Sequence, residues 1–430
     1  MTTLTATAAL AYLTEGMPGT GGIIRQRPDD FCVEEQPLED LAGKGEHLYL
    51  YIEKRKATTI DVARRLAKLF RVSRQSVSYA GLKDKHAVTR QQFSIHLPDA
   101  SDDQKLLARI NYTKLNLLWS DRHTRKLRRG QLKCNRFVIY IRNVDPTRVV
   151  HAKRIVDRLI DSGVPNFIGD QRFGYRQNND RIGRAMLLGD WQEMLDELLG
   201  RPGYPPSDDA EAGRNAYDCG DYHQAIDLWP RKLRYDRQVL DALRQGKSPE
   251  DAVMTMDWHQ RGFLFNALQS GIFNRALDRR LREGSMGTLL AGDVAFGHAD
   301  REMFVVDEET ARIETAPGGR VHRQVISPSG PMWGADMLRA AGRVAEAELD
   351  ALHEYDLTES DLIGKGKHPA MGSRRPLRVP LINPDLSGGV DRHGPYIRIA
   401  FDLSRGSFAT VVLREIMKYH TDEPVNDNDE

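Results

Sequence analysis

Ser76-Val77-Ser78-Tyr79-Ala80-Gly81-Leu82-Lys83-Asp84-Lys85-His86-Ala87-Val88-Thr89-Arg90-Gln91-Gln92-Phe93 sets a lone carboxylate between two lysines, in a loop with strand-like sequence on either side. Ser76 to Tyr79 reads as a short strand. Beyond the loop, Phe93, Ile95 and Leu97 alternate with polar residues, so the loop joins two half-buried strands of one sheet. Two neighbouring ammonium groups would draw a polyanion toward Asp84, which suits a nucleophile acting on nucleic acid. The same spacing also fits a solvated surface ion pair, and alone it leaves both readings open.

Working outward, Glu46 to Lys54 alternates like a strand, and Ile60, Ala63, Leu66, Ala67 and Phe70 recur at helical spacing behind a cap at Thr58 or Thr59. Phe137 to Ile141 is β-rich, and Ala152 to Ile160 is a helix ended by Ser162-Gly163 and Pro165. Helical periodicity then dominates: Asp190 to Leu199, Arg234 to Arg244, Gly262 to Glu283 and Arg339 to His353, with polar and Gly/Pro-rich joints between. Strand alternation returns at Tyr396 to Leu403, and a turn at Ser404 to Ser407 leads into an apolar helix, Ala409 to Tyr419. The pattern predicts a sheet domain whose terminal stretch rejoins it around a largely helical insertion.

The chain has 430 residues, 40% of them hydrophobic and 29% charged, enough for a sizeable core without disulfide or metal support. Cys32, Cys134 and Cys219 are odd in number and lack metal-ligand spacing, so no metal site is expected. No apolar run would span a bilayer and no leader precedes Tyr12, which predicts a cytoplasmic protein. A net charge of +1 says nothing about nucleic acid, but its distribution does. From Arg122 to Arg136 the chain carries Arg122, Arg125, Lys126, Arg128, Arg129, Lys133 and Arg136 with no acid among them. This is either a phosphate-binding wall or a solvated basic face. Acidic stretches at Ser207 to Glu211 and Asp422 to Glu430 balance it, the latter expected as a frayed tail.

Five motifs in order resemble the tRNA pseudouridine synthase D family. They are Gly22-Ile23-Ile24-Arg25 with Pro28-Asp29-Asp30-Phe31-Cys32-Val33-Glu34-Glu35 and Gly45-Glu46-His47; the Asp84 loop; and Lys126-Leu127-Arg128-Arg129-Gly130 with Asn135-Arg136-Phe137. Pro165-Asn166-Phe167-Ile168-Gly169-Asp170-Gln171-Arg172-Phe173-Gly174 and Gly406-Ser407-Phe408-Ala409-Thr410 with Leu413-Arg414-Glu415 complete the set. The chain departs from the family at Cys134, where glycine is expected, at Ile168, where an aromatic is expected, and in a longer Arg201 to Pro230.

The resemblance implies an α+β fold: a mixed, mainly antiparallel sheet forming a pseudouridine synthase catalytic domain over 1–162 plus 377–430, and a family-specific inserted domain over 163–376. It implies isomerisation of a uridine in tRNA, uridine 13, to pseudouridine by base flipping, without a cofactor. The N1 to C1′ bond breaks, the base turns while held, and C5 bonds to C1′. Asp84 is the expected nucleophile, attacking C1′ or C6 or supporting a glycal, with Arg25 on the opening strand as its orienting ion-pair partner. Phe31, Asn135, Phe137 and Phe408 are expected to hold the uridine, and Lys83, Lys85, Arg125, Lys126, Arg128, Arg129 and Lys133 the RNA backbone. The insertion would form the opposite wall of a cleft. Gln171 to Gly174 fits either wall of that cleft, a hinge or a packing turn, and is assigned no chemistry. The only partner implied is tRNA, with no membrane, no obligate protein partner and a monomeric state.

Two other readings fit the residues. One is an RNA-binding protein or folding chaperone without catalysis. The other is a nucleosidase, which needs a second acid near Asp84, from Glu34, Glu35 or Glu46.

Overall fold

The structure, a computed structural model, describes residues 10–101, 103–205, 208–363 and 371–418. The acidic tail Asp422 to Glu430 lies outside them. The chain forms two compact units: one of residues 14–164 and 379–418, the other of residues 10–13 with Pro165–Arg378. Leu10 to Leu13, expected with the sheet domain, belong to the second unit, where the Ala11 amide donates to Asp278 Oδ1 at 2.6 Å.

The first unit is a mixed α+β structure around an eight-stranded sheet. Its strands are β1 (Phe31–Gln36), β2 (His47–Arg55), β3 (Val77–Tyr79), β4 (Val88–His96), β5 (Asn116–His123), β6 (Cys134–Arg142) and a C-terminal pair, Ile382–Asp391 and Gly394–Ser404. From the edge, the order is Ile382–Asp391, Gly394–Ser404, β6, β1, β4, β2, β5, with β3 beside β4. Only β1 and β4 run parallel. Gly394–Ser404 returns beside β6, with Phe401 opposite Phe137.

One edge of β4 serves two partners. Val88 to Arg90 pair with β1, whereas Phe93 to Ile95 pair with β3. The Asp84 loop connects β3 to β4, so it begins beside one half of this edge and ends beside the other.

Leu48, Leu50 and Ile52 of β2 bury one face against helix α1 (Thr59–Phe70), which contributes Val62, Leu66 and Phe70. Each such side chain contributes roughly 1.5–3 kcal/mol. Thr58 caps the helix: its hydroxyl accepts from the Asp61 amide at 3.1 Å and donates to the Asp61 carboxylate at 2.6 Å. Arg71, in the left-handed region, ends it.

The second unit holds helices around Trp258–Arg282, whose Leu264, Leu268, Ile272, Phe273, Leu277 and Leu281 are all buried. Gly183 lets the helix Asn179–Leu188 approach closely, since a Cβ there would lie 2.3 Å from the Leu264 carbonyl. Residues Arg201 to Pro230 include two short helices, Glu211–Asp218 and Tyr222–Leu228, near the buried Trp229. The sequence did not suggest the four-stranded antiparallel sheet in this unit, ordered Ser373–Pro376, Ile326–Met332, Val294–Gly297, Met303–Val305. Its second strand reads Ile-Ser-Pro-Ser-Gly-Pro-Met. The buried Ser327 and Ser329 meet Arg378 and Arg374, so small hydroxyls stand where alternating apolar residues would have signalled a strand.

Gly22 (φ +94°) turns the N-terminal segment into a single bridge between Ile23 and Arg142. A Cβ at Gly22 would meet Ile141 Cγ2 at 2.5 Å and the Arg142 carbonyl at 2.8 Å. Gly22→Ala is expected to lower unfolding free energy by roughly 2–4 kcal/mol, measured by denaturant unfolding; an unchanged midpoint would contradict this packing.

Candidate active site

Asp84 lies in a loop fixed almost entirely from behind. The Lys83 amide donates to the Thr59 hydroxyl at 2.9 Å, the hydroxyl donates to Gln91 Oε1 at 2.8 Å, and Gln91 Nε2 donates to the Gly81 carbonyl at 3.1 Å. Thr59, proposed as a possible cap, has its hydroxyl committed to this chain instead. Gly130 N–H donates to the Ala80 carbonyl at 2.7 Å and ties in the basic segment.

Lys54 is 1% exposed at the end of β2. Its ammonium donates to the carbonyls of Ala57 at 2.7 Å, Asp84 at 2.9 Å and Lys83 at 3.4 Å. Burial pulls its pKa down to about 8, partly opposed by the Asp84 charge.

The Asp84 carboxylate faces Arg25, with Nη2 3.3 Å from Oδ2 and the two side chains 16% and 37% exposed. The Arg25 guanidinium lies 4.6 Å from the Phe31 ring centroid, and its buried Nε has no hydrogen-bond partner among the described residues. Arg25 was expected on the opening strand, but the first strand is β1. Arg25 precedes it with φ +60°, in an irregular segment that follows two positive-φ glycines. The kink lets a residue outside the ladder reach Asp84.

Lys83 does not fit the phosphate contact expected of it. Its side chain is 6% exposed, with Nζ 2.8 Å from Glu35 Oε2 and donating to Asn135 Oδ1 at 2.8 Å. Glu35 is wholly buried and accepts the Gln92 amide at 3.1 Å, taking the strand partner's place where the edge of β4 passes from β1 to β3. Glu35 is thus committed. Glu34 meets Tyr51 and Arg90, and Glu46 meets His47 and His96, so the second acid of a nucleosidase finds no support beside Asp84.

Asn135 and Phe137 stand on β6. Phe137 is 7% exposed, stacked on Phe401 at 5.5 Å and edge-on to Phe31 at 6.5 Å. Phe31, at 1% exposure, carries Arg25 and offers little surface to a base. Phe408 is half-buried just ahead of the helix Ala409–Met417. Cys134 pairs with Gln36 and Ser404 as an ordinary strand residue, so the family's glycine is not needed there. Ile168 is a packing residue whose backbone exchanges two 2.9 Å hydrogen bonds with Asn274.

In the basic segment, Arg125, Lys126, Arg128, Arg129 and Lys133 are exposed, and Lys85 is half-buried. Arg125 reaches Glu39, Lys126 the Gln75 carbonyl, and Arg129 the Tyr79 ring and hydroxyl. Arg122 leaves the proposed wall: it is buried, paired with Asp103, and donates to the carbonyls of Gly45, Leu97 and Asp99. Among the described residues no helix is long and apolar enough to cross a membrane.

The sequence pattern of the family described as "tRNA pseudouridine synthase D (TruD)" matches residues 8–416. A tRNA pseudouridine synthase D of Geobacter metallireducens is 38% identical over 410 residues, covering 95% of this chain and 97% of the relative. One from Syntrophotalea carbinolica is 36% identical over 408 residues, covering 95% and 98%. A crystal structure from Methanosarcina mazei, provisionally assigned as a tRNA pseudouridine synthase D, matches with a TM-score of 0.78 at 26% identity, covering 95% and 96%. Fold and likeness together define an isomerase that acts on RNA. The chain belongs to the tRNA pseudouridine synthase D family.

Lys54 gives a pH test. With its pKa at about 8 in the fold and an ordinary value of 10.5, the unfolded chain holds a proton in that window that the folded chain releases. Stability contributed at this position therefore rises with pH between the two values, by about 1 kcal/mol per unit. Denaturant melts should show wild type gaining on Lys54→Met across that window, whereas a constant difference would mean that Lys54 titrates normally.

Proposed function

We propose that this tRNA pseudouridine synthase acts on uridine 13 of tRNA, with Asp84 as nucleophile and no cofactor, after the nucleotide has been flipped out. The observation that carries the reading is the Asp84 carboxylate: half-exposed, 3.3 Å from an arginine, on a loop whose backbone is gripped by a buried ammonium. A nucleophile needs an accessible oxygen in a fixed direction, and that combination provides both.

The neighbouring groups suit a held uracil. The Asn135 amide oxygen accepts a hydrogen bond from the Lys83 ammonium, so its NH₂ is directed elsewhere as a donor. Donors of this kind match the carbonyls on a uracil edge. Phe137, backed by Phe401, is a rigid ring for stacking, and Phe408 is a second candidate. Arg25 orients the carboxylate and Phe31 orients Arg25, which replaces the direct base contact expected of Phe31. Lys85, Arg125, Lys126, Arg128, Arg129 and Lys133 remain the proposed grip on RNA phosphates, while Lys83 is reassigned to orient Asn135. The unit of residues 14–164 and 379–418 is the proposed catalytic domain, and the unit Pro165–Arg378 the proposed family-specific insertion.

The test is to map pseudouridine at single-nucleotide resolution after incubation with unmodified tRNA. Wild type is expected to modify uridine 13, and Asp84→Asn to lose activity by a factor on the order of 10⁴ or more. Product at full rate in the variant would remove Asp84 from the chemistry. Arg25→Gln is expected to lower kcat on the order of 10²-fold or more with KM little changed, read by single-turnover kinetics; a change confined to KM would make Arg25 a binding residue instead.

A further inference from the structure

Gln171-Arg172-Phe173-Gly174 lies in the second unit, whereas Asp84 lies in the first. Phe173 is buried, and Gly174 (φ +76°) turns the chain against the Asn179 side chain, which accounts for two of the four residues as packing. Arg172 is different. The more deeply buried Arg214, Arg280, Arg374 and Arg176 of its unit have partners: Arg214 meets Asp208, Arg280 meets Asp293, and Arg374 meets Glu348, while Arg176 gathers the carbonyls of Glu197, Arg201 and Tyr204. Such partners offset the cost of taking a charge out of water.

Among the described residues, the Arg172 side chain forms no hydrogen bond and pairs with no carboxylate. Its one close contact is the Phe263 ring, 5.0 Å from the guanidinium carbon, and that ring is 40% exposed. A second guanidinium is near enough to feel it. Arg375 donates to Asn166 Oδ1 at 2.6 Å and to the Asn166 carbonyl at 3.1 Å, and its pKa is pushed down to about 9 by burial and then by the positive charge of Arg172. Burial also lowers the pKa of Arg172. A half-buried guanidinium that rests on a surface ring, with its donors unused and a like charge near enough to shift its neighbour, has no anion beside it among the described residues.

We propose that Arg172, seated on Phe263 next to Arg375, binds a backbone phosphodiester of the RNA substrate on the inserted unit. The inference rests on the chain acting on tRNA. A phosphodiester carries one negative charge and oxygens that match the planar guanidinium fork, and its arrival relieves the repulsion between the two arginines. Arg172 is a substrate-positioning residue and touches no reacting atom.

The test is binding of unmodified tRNA by the full chain over a range of salt concentrations. Arg172→Gln is expected to weaken binding by about five- to tenfold near 0.1 M salt and to lower the slope of log affinity against log salt by about one. KM should rise with kcat at saturating tRNA unchanged, and thermal stability should stay near the wild-type value, because loss of the contact with the exposed Phe263 ring is offset by relief of the repulsion from Arg375. Phe263→Leu keeps the charge, so its salt slope should stay at wild type while affinity falls by a smaller factor. A wild-type salt slope in Arg172→Gln would overturn the proposal, as would a lowered melting temperature, which would mark a structural role. If wild type modifies uridine 13 while the slope is unchanged, only this site fails. If uridine 13 is left unmodified while the slope falls, the fault lies with the proposed target.

Discussion

Lys54 carries its ammonium to the end of a strand where water scarcely reaches, and three carbonyl oxygens take the place of hydration. Burying an ion costs several kcal/mol unless dipoles are already aimed at it. Here the dipoles come from two pieces of chain: Ala57, at the entry to α1, and the peptides of Lys83 and Asp84. One cation thereby fastens the loop to both the sheet and the helix. The Asp84 side chain can then remain partly open to solvent while its backbone is held.

The same loop depends on how β4 is shared. Because β1 and β3 take different halves of one edge, a ladder position is left between them, and the Glu35 carboxylate accepts the Gln92 amide there. Lys83 answers that buried carboxylate and passes a hydrogen bond to Asn135 on β6. A gap in the sheet thus leads, through one carboxylate and one ammonium, to a side chain proposed to read the base. The proposed chemistry on the exposed side of the loop is backed by paired polar groups on the buried side.

The regular elements that the sequence showed were legible because their signal is local. The β2 alternation, the helix at Thr59–Phe70 and the helix Arg234–Arg244 follow from apolar residues at intervals of two or of 3.6. The buried polar network was less legible, although it left a trace. Lys54 falls in step with Leu48, Leu50 and Ile52, and Gln91 in step with Phe93 and Ile95, so each stands on the apolar parity of its strand. A polar residue there ends a pattern as readily as it marks a buried role, and only the partners distinguish the two. Lys83 shows the converse: its place beside Asp84 suggested a phosphate contact, but the carboxylate it meets lies 48 positions away in sequence, at Glu35.

By itself the sequence determined the α+β class, the strand-loop-strand setting of Asp84 and, through its motifs, the family. Each depends on residues close together along the chain, whose spacing survives without coordinates. The tertiary structure alone decided which charges are in water and which are not: Lys54 and Lys83 within, Arg128 and Lys133 without, Arg25 reaching Asp84 from outside the strand ladder, and Arg172 half-buried with no counter-ion among the described residues. The reason is that solvation and pairing are set by distances between segments remote in sequence, and a charged residue carries the same letter whether it is hydrated, buried or waiting for an anion.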